Sequence, residues 1–308
     1  MNRILVTGAE GFVGSHLVKA LKETLDMVVP TCYPPLKPKH GKYVELDIMN
    51  LDLVREVFKS HNPDVIFHLA AVSSVAKSFI DRPFTYNTNI IGTINLLESA
   101  LSLNKKIKFI FVSTCEVYGG GEGLKEDAPI LLKNPYAVSK YACELISKDY
   151  AGNNIDVMIL RPFNHTGPGQ SDDFVLPSIA RQIAEIERGK KAPLIEVGNI
   201  EIKREFMNVN DVVNAYKLAI EKFNPGEVYN ISSNQSHSLK EALNLFKKFA
   251  KTDFEIKIDP ARLRKTDIPV LTGNGEKFSR QTGWSPRIPF EKTIEDLLNY
   301  WRARIQTP

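Results

Sequence analysis

The sequence predicts an α/β fold built on a doubly wound parallel sheet, with a smaller C-terminal lobe beside it. Three observations carry this. Short apolar runs alternate with helical apolar stripes through the first half of the 308 residues, a glycine-rich turn joins the first run to the first stripe, and the pattern breaks near Pro162. Strands that alternate with helices indicate βαβ units, and continuous apolar strands suit a sheet covered on both faces.

The strand-like runs are Ile4–Val6, Met27–Val29, Val65–Phe67, Phe109–Val112 and Val157–Leu160. Between them, Val13, Leu17, Ala20 and Leu21 form one helical stripe, Val54, Val57 and Phe58 a second, and Ile90, Ile94, Leu97 and Leu101 a third. Beyond Pro162 loops, helices and short strands mix, and 206–231 again reads as strand, helix, strand. The expected division is a sheet domain of 1–161 plus about 206–231, with 162–205 and 232–308 forming the second lobe.

Hydrophobic residues make up 43% and charged residues 25% of the chain, as in ordinary globular proteins. A net charge of +4, dispersed along the chain, argues against nucleic-acid binding but favours an anionic ligand. Cys32, Cys115 and Cys143 are too few and too irregularly spaced for a disulfide framework or a zinc site, so no metal is expected. Reduced thiols imply a cytoplasmic setting. Met1-Asn2-Arg3 leads straight into a strand, without the pattern of a signal peptide, and no apolar run has membrane-spanning length.

Residues 7–14, Thr-Gly-Ala-Glu-Gly-Phe-Val-Gly, place Gly8, Gly11 and Gly14 between the first strand and the first helix. Glycines there let a diphosphate approach the backbone, and the helix N-terminus of Phe12 and Val13 offers it free N–H groups. This is a Rossmann-type dinucleotide cradle. Asp47 and Ile48 can meet an adenine, and Leu69, Ala70 and Ala71 after the Val65–Phe67 strand leave room for the cofactor. His68 reads as structural. The second strand ends in Thr31-Cys32-Tyr33, with neither an acid for a ribose hydroxyl nor an arginine for a 2′-phosphate. Lys37, Lys39 and His40 follow, which tips the choice between NADP(H) and NAD(H) slightly toward NADP(H).

Tyr136 and Lys140 lie four residues apart, on one face of a helix. A lysine beside a phenol is expected to lower its pKa and make it a usable acid or base. Thr114, at the end of the Phe109–Val112 strand, is placed to hydrogen-bond a substrate oxygen, and Glu116 is a candidate base. Glu116 alone reads equally well as a solvated carboxylate.

Together these motifs resemble the extended short-chain dehydrogenase/reductase family, the NAD-dependent epimerases and dehydratases of nucleotide sugars. The resemblance spans nearly the whole chain: 7–14, Asp47-Ile48, 68–71, Asn89, 113–119, 136–140, 161–164 and 204–211. It implies a Thr114–Tyr136–Lys140 triad with Asn89 supporting it, and Tyr136, Lys140 and Phe163 against the cofactor. It further implies Ser74, Asn164, Val175, Arg204 and Arg264 as contacts of a nucleotide-diphospho sugar. Guanidinium groups suit a diphosphate, although each arginine alone is more often a surface charge. Homodimerisation through the helices bearing Tyr136 and Asn89 is also implied, with Ile90, Ile94 and Leu97 as apolar positions that permit it.

Within the family, 163–170, 174–187 and 263–269 look most like GDP-4-keto-6-deoxy-D-mannose reductases, which form GDP-D-rhamnose. A 4,6-dehydratase of the GDP-mannose type is the nearest alternative, because Thr114 and Glu116 suit it. A C4 epimerase would use the same triad. A dinucleotide-sensing protein without turnover is the non-enzyme alternative, and the presence of Tyr136 and Lys140 speaks against it.

Overall fold

A computed structural model of the chain describes residues 2–23, 27–35, 42–260 and 268–305. Lys37, Lys39, His40 and Arg264 lie outside the described residues. The central sheet has seven parallel strands, in the order Val228–Ile231, Ile155–Pro162, Ile107–Val112, Val65–His68, Arg3–Thr7, Met27–Cys32, Val44–Glu45. The order reverses between Arg3–Thr7 and Val65–His68, so the crevice beyond the carboxyl ends of these two strands is the expected ligand site of such a sheet.

Alternation along the strands fills two apolar layers. Ile4 and Val6 join the cluster under helices Phe12–Lys22 and Val209–Glu221. Leu5 faces the opposite cluster, beneath helices Leu51–His61, Gly92–Leu101 and Pro135–Asp149. Burial of both faces explains why the strands read as unbroken apolar runs.

A third apolar cluster gathers helices Val175–Glu187, Leu239–Phe249 and Phe290–Arg302. A four-stranded sheet lies with it, ordered His237–Ser238, Lys203–Arg204, Val270–Gly273, Gly121–Leu124. Two details differ from the sequence reading. Gly121–Leu124, from the first half of the chain, pairs with Val270–Gly273 rather than with the central sheet. In the expected 206–231 excursion only Val228–Ile231 enters the central sheet, whereas Met207–Asn208 pairs with His165–Thr166. A two-residue strand carries too little apolar pattern to reveal its partner.

Candidate active site

The glycine turn is closed by sterics. Gly8 has a φ of +66°, and a Cβ there would meet the Ala70 backbone nitrogen at 2.8 Å. A Cβ on Gly14 would lie 2.2 Å from the Gly8 carbonyl oxygen and 2.7 Å from the Ala9 Cα. The first helix therefore packs against the turn as only glycine allows. Gly11 caps it without a side-chain hydrogen bond, and its first turn carries no acid. An uncapped, acid-free helix N-terminus at the crevice is suited to a diphosphate. These features fit a bound dinucleotide.

Around this cradle, the Asp47 carboxylate accepts the Met49 N–H at 2.9 Å, and buried Ile48 packs over Gly92. Leu69, Ala70 and Ala71 are half-buried at the end of Val65–His68. Phe163 is fully buried, stacked on Tyr118 and covering Gly273. At the end of Met27–Cys32 the Cys32 thiol is pushed up by burial and then by the charges of Glu10 and Glu45. Neither carboxylate figured in the sequence-based choice between the two cofactors.

Helix Pro135–Asp149 starts where the sequence dictates. The Asn134 side chain accepts the Ala137 N–H at 2.7 Å, and Pro135 occupies the first turn. Asn134 also donates to Glu116 at 2.9 Å, a bridge the motif reading did not include. Its Asn-Pro signal marks a helix start, but nothing local points to Glu116. Thr114, buried, accepts the Glu116 N–H at 3.2 Å and hydrogen-bonds toward the Tyr136 phenol.

Tyr136 and Lys140 are both buried on this helix. Burial pushes the phenol up, only partly offset by Thr114, and pulls the ammonium down to about 8. The lowered tyrosine expected from its lysine neighbour is therefore not found. Desolvation is the largest cause at each group and disfavours its charged form. The Lys140 ammonium lies instead 4.3 Å from the centre of the Phe111 ring. Tyr136 thus keeps its proton over the neutral range.

Asn89, buried, ties the site together. Its amide accepts the Val72 N–H at 2.8 Å and donates to the Ser139 hydroxyl at 2.8 Å. Beneath the helix a buried ion pair joins Glu144 to Arg161, at 2.7 and 2.9 Å, and Arg161 continues to Tyr118 at 2.9 Å. This network was invisible in the sequence, since its members lie on separate elements.

Asn164, Arg204, Ser74 and Val175, expected from the sequence to face a substrate, lie on separate segments. The Asn164 side-chain oxygen is buried and has no hydrogen-bond partner. Such an atom is costly unless a ligand satisfies it. An amide there can offer its oxygen to a hydroxyl or, turned over, its NH2 to a phosphate. The Asn164 carbonyl accepts from Met207 N at 2.9 Å, which joins it to the Arg204 segment. Arg204 donates to the Lys203 and Ile268 carbonyls, and its charge is felt at Cys115 beside Thr114. Ser74 caps helix Val75–Ile80, and Lys77 of that helix donates to Asp173 at 2.8 Å. Phe174 and Val175, both exposed, open the Val175–Glu187 helix, which has no side-chain cap.

The family for GDP-mannose 4,6-dehydratase matches residues 5–297. The chain belongs to that family. The GDP-6-deoxy-D-mannose reductase of Pseudomonas aeruginosa is 33% identical, over 99% of this chain and 98% of its own length. The dTDP-D-glucose 4,6-dehydratase of Mus musculus is 31% identical, over 97% of this chain and 88% of its own. Among solved structures, RMD from Pseudomonas aeruginosa complexed with NADPH superposes with a TM-score of 0.90 at 32% identity, covering 99% of this chain and 100% of that one. Among the described residues no group of side chains could hold a metal ion, and no helix is long and apolar enough to cross a membrane.

Proposed function

We propose that this chain reduces the C4 ketone of GDP-4-keto-6-deoxy-D-mannose, with NADPH or NADH, to give GDP-D-rhamnose. The observation that carries the reading is the buried Tyr136 hydrogen-bonded with Thr114, in a chain that matches a GDP-6-deoxy-D-mannose reductase over nearly its whole length. Gly8, Gly11, Phe12, Val13, Asp47, Ile48, Leu69, Ala70, Ala71, Lys140 and Phe163 would hold the dinucleotide. Its nicotinamide supplies the hydride. Asn164 and Arg204 would hold the sugar nucleotide's diphosphate, with Ser74, Val175 and Arg264 as the further contacts that the resemblance implies.

Tyr136 donates its proton to the C4 oxygen as negative charge develops there, and Thr114 hydrogen-bonds the same oxygen. Lys140, charged below about pH 8, then stabilises the phenolate left behind. Burial of all three excludes water and strengthens their electrostatic action.

One observation favours a second reading. Asn134 holds Glu116 next to Thr114, where a 4,6-dehydratase needs a base. Purified protein separates the two. A reductase oxidises NADPH only when the 4-keto sugar nucleotide is present. Conversion of GDP-mannose to a 4-keto product without net cofactor use, together with no oxidation by the ketone, overturns the proposal.

The assembly we propose is a homodimer. Phe79, Ile80, Phe84, Ile91, Val138 and Leu145 are exposed on helices packed around Pro135–Asp149, which supports an apolar self-contact. Leu97, one of the three positions named from sequence, is fully buried in the core and takes no part, while Ile90 and Ile94 are half-buried. Three free, buried cysteines support a cytoplasmic setting.

A further inference from the structure

A hydrogen-bond chain runs beneath the site, from the ends of the cofactor-side strands to the helix that bears Tyr136. The Thr7 hydroxyl oxygen accepts the N–H groups of Leu69 and Ala70 at 3.2 and 3.1 Å, and contacts His68 Nδ1 at 2.8 Å. With its oxygen occupied as acceptor, its hydrogen points to that nitrogen. On the other side of the ring, Thr93 donates to the Asn89 carbonyl at 2.6 Å and contacts His68 Nε2 at 3.0 Å. Its hydrogen being spent, Thr93 can only accept from the imidazole. These two constraints select one tautomer, with the hydrogen on Nε2 and the lone pair on Nδ1.

The chain continues through Asn89. Its side chain donates to Ser139 at 2.8 Å, and the Ser139 hydroxyl donates to the Tyr136 carbonyl at 2.8 Å. Thr7, His68, Thr93, Asn89 and Ser139 are all buried, so every link is made in a low dielectric where a broken one is costly. At one end, Ala70 is the residue that closes on Gly8 in the phosphate turn. At the other stands the carbonyl of the proposed proton donor.

We propose that His68 is a positioning residue, a neutral Nε2–H imidazole that couples the dinucleotide cradle to the helix carrying Tyr136. This rests on the reading of Tyr136 as proton donor. His68 packs against the rings of Phe109 and Phe111, with centroids 5.9 and 5.7 Å away, and Lys140 lies over that same Phe111. Burial, and then the charge of Lys140, hold its pKa well below the usual histidine value. A protonated ring would lose the acceptor that Thr7 requires.

The test cuts the chain at its middle link. Thr93→Val removes the hydroxyl at nearly constant volume, and Thr93→Ser keeps it. Thr93→Val should lower kcat about tenfold to hundredfold, the scale of a misplacement near 1 Å, with the KM for sugar nucleotide within about twofold. Thr93→Ser should restore most of the rate. Thermal melts establish that both variants are folded. A folded Thr93→Val with wild-type kcat overturns the proposal, as does equal loss in both variants, which would assign the effect to packing. The kcat comparison uses whichever reaction the wild type performs. Absence of ketone reduction by the wild type therefore refutes the proposed function without touching this test. If Thr93→Val does not fold, nitrogen NMR of the wild type decides. The signal of a neutral imidazole protonated at Nε2 is expected between pH 6 and 9, and a protonated ring or an Nδ1–H tautomer overturns the proposal.

Discussion

Gly14→Ala should weaken dinucleotide binding far more than Gly11→Ala, although both change one glycine of the same motif. A Cβ at residue 14 meets two backbone atoms, the Gly8 oxygen at 2.2 Å and the Ala9 Cα at 2.7 Å, and neither can swing aside. Ordinary contact begins near 3.4 Å, so the first helix must back away from the turn by roughly 1 Å. At residue 11 the nearest atom is the Gly8 oxygen at 3.1 Å, and φ is −65°, so a few tenths of an ångström suffice. Overpacking of the first kind costs about 1–3 kcal/mol. It also shifts the N–H groups that would face the diphosphate. NADPH fluorescence titration should show Kd rising about tenfold or more for Gly14→Ala, where tenfold corresponds to about 1.4 kcal/mol, and no more than about threefold for Gly11→Ala. The melting temperature should fall in the same order. Equal affinity in wild type and Gly14→Ala, or a larger loss in Gly11→Ala, would refute the steric argument.

Three further outcomes are expected. Glu116→Gln should leave ketone reduction within about tenfold of wild type while removing any dehydratase activity. A larger loss of reduction in folded protein contradicts the assigned roles. Lys140→Met should abolish turnover yet raise the melting temperature at pH 7. Lys140 has its pKa lowered to about 8 from 10.5, so its buried charge costs stability fully below pH 8, and that cost fades as pH rises from about 8 toward 10.5. The stability advantage of Met over wild type should accordingly shrink between pH 7 and 9.5, and an advantage that grows would reverse the sign of the argument. Arg161→Met strands the buried Glu144 carboxylate and should destabilise by about 3–5 kcal/mol, read from denaturant unfolding. A cost under 1 kcal/mol would mean that Glu144 finds another partner.

Gly8 and Gly14 made the tight turn legible because neither leaves room for a Cβ, and that constraint is written within one short stretch of chain. The parallel sheet was equally legible, since double burial leaves runs such as Phe109–Val112 wholly apolar. Tyr136 and Lys140 share one helix, as their spacing predicts, but their charge behaviour was not legible. Spacing places two groups on one face without saying that the face is buried, and burial reverses the expected shift of Tyr136. Asn134 to Glu116, Glu144 to Arg161 and His68 to Thr7 and Thr93 went unread because each joins separate elements, where no local period connects the partners. The four-stranded sheet was the least legible part. It assembles two-residue strands with Gly121–Leu124 from the first half of the chain, and its pairing is set by tertiary packing rather than by pattern.

The central claim, a single hydride transfer to C4 with Tyr136 as proton donor, is tested most directly with deuterium. Wild type and Tyr136→Phe are each incubated with GDP-4-keto-6-deoxy-D-mannose and NADPH carrying deuterium at the transferable position. The account predicts one deuterium at C4 of a 6-deoxy product from wild type, one NADPH consumed for each product formed, and a rate lower by orders of magnitude in Tyr136→Phe with NADPH binding retained. No deuterium at C4, or near wild-type turnover by Tyr136→Phe, would contradict it.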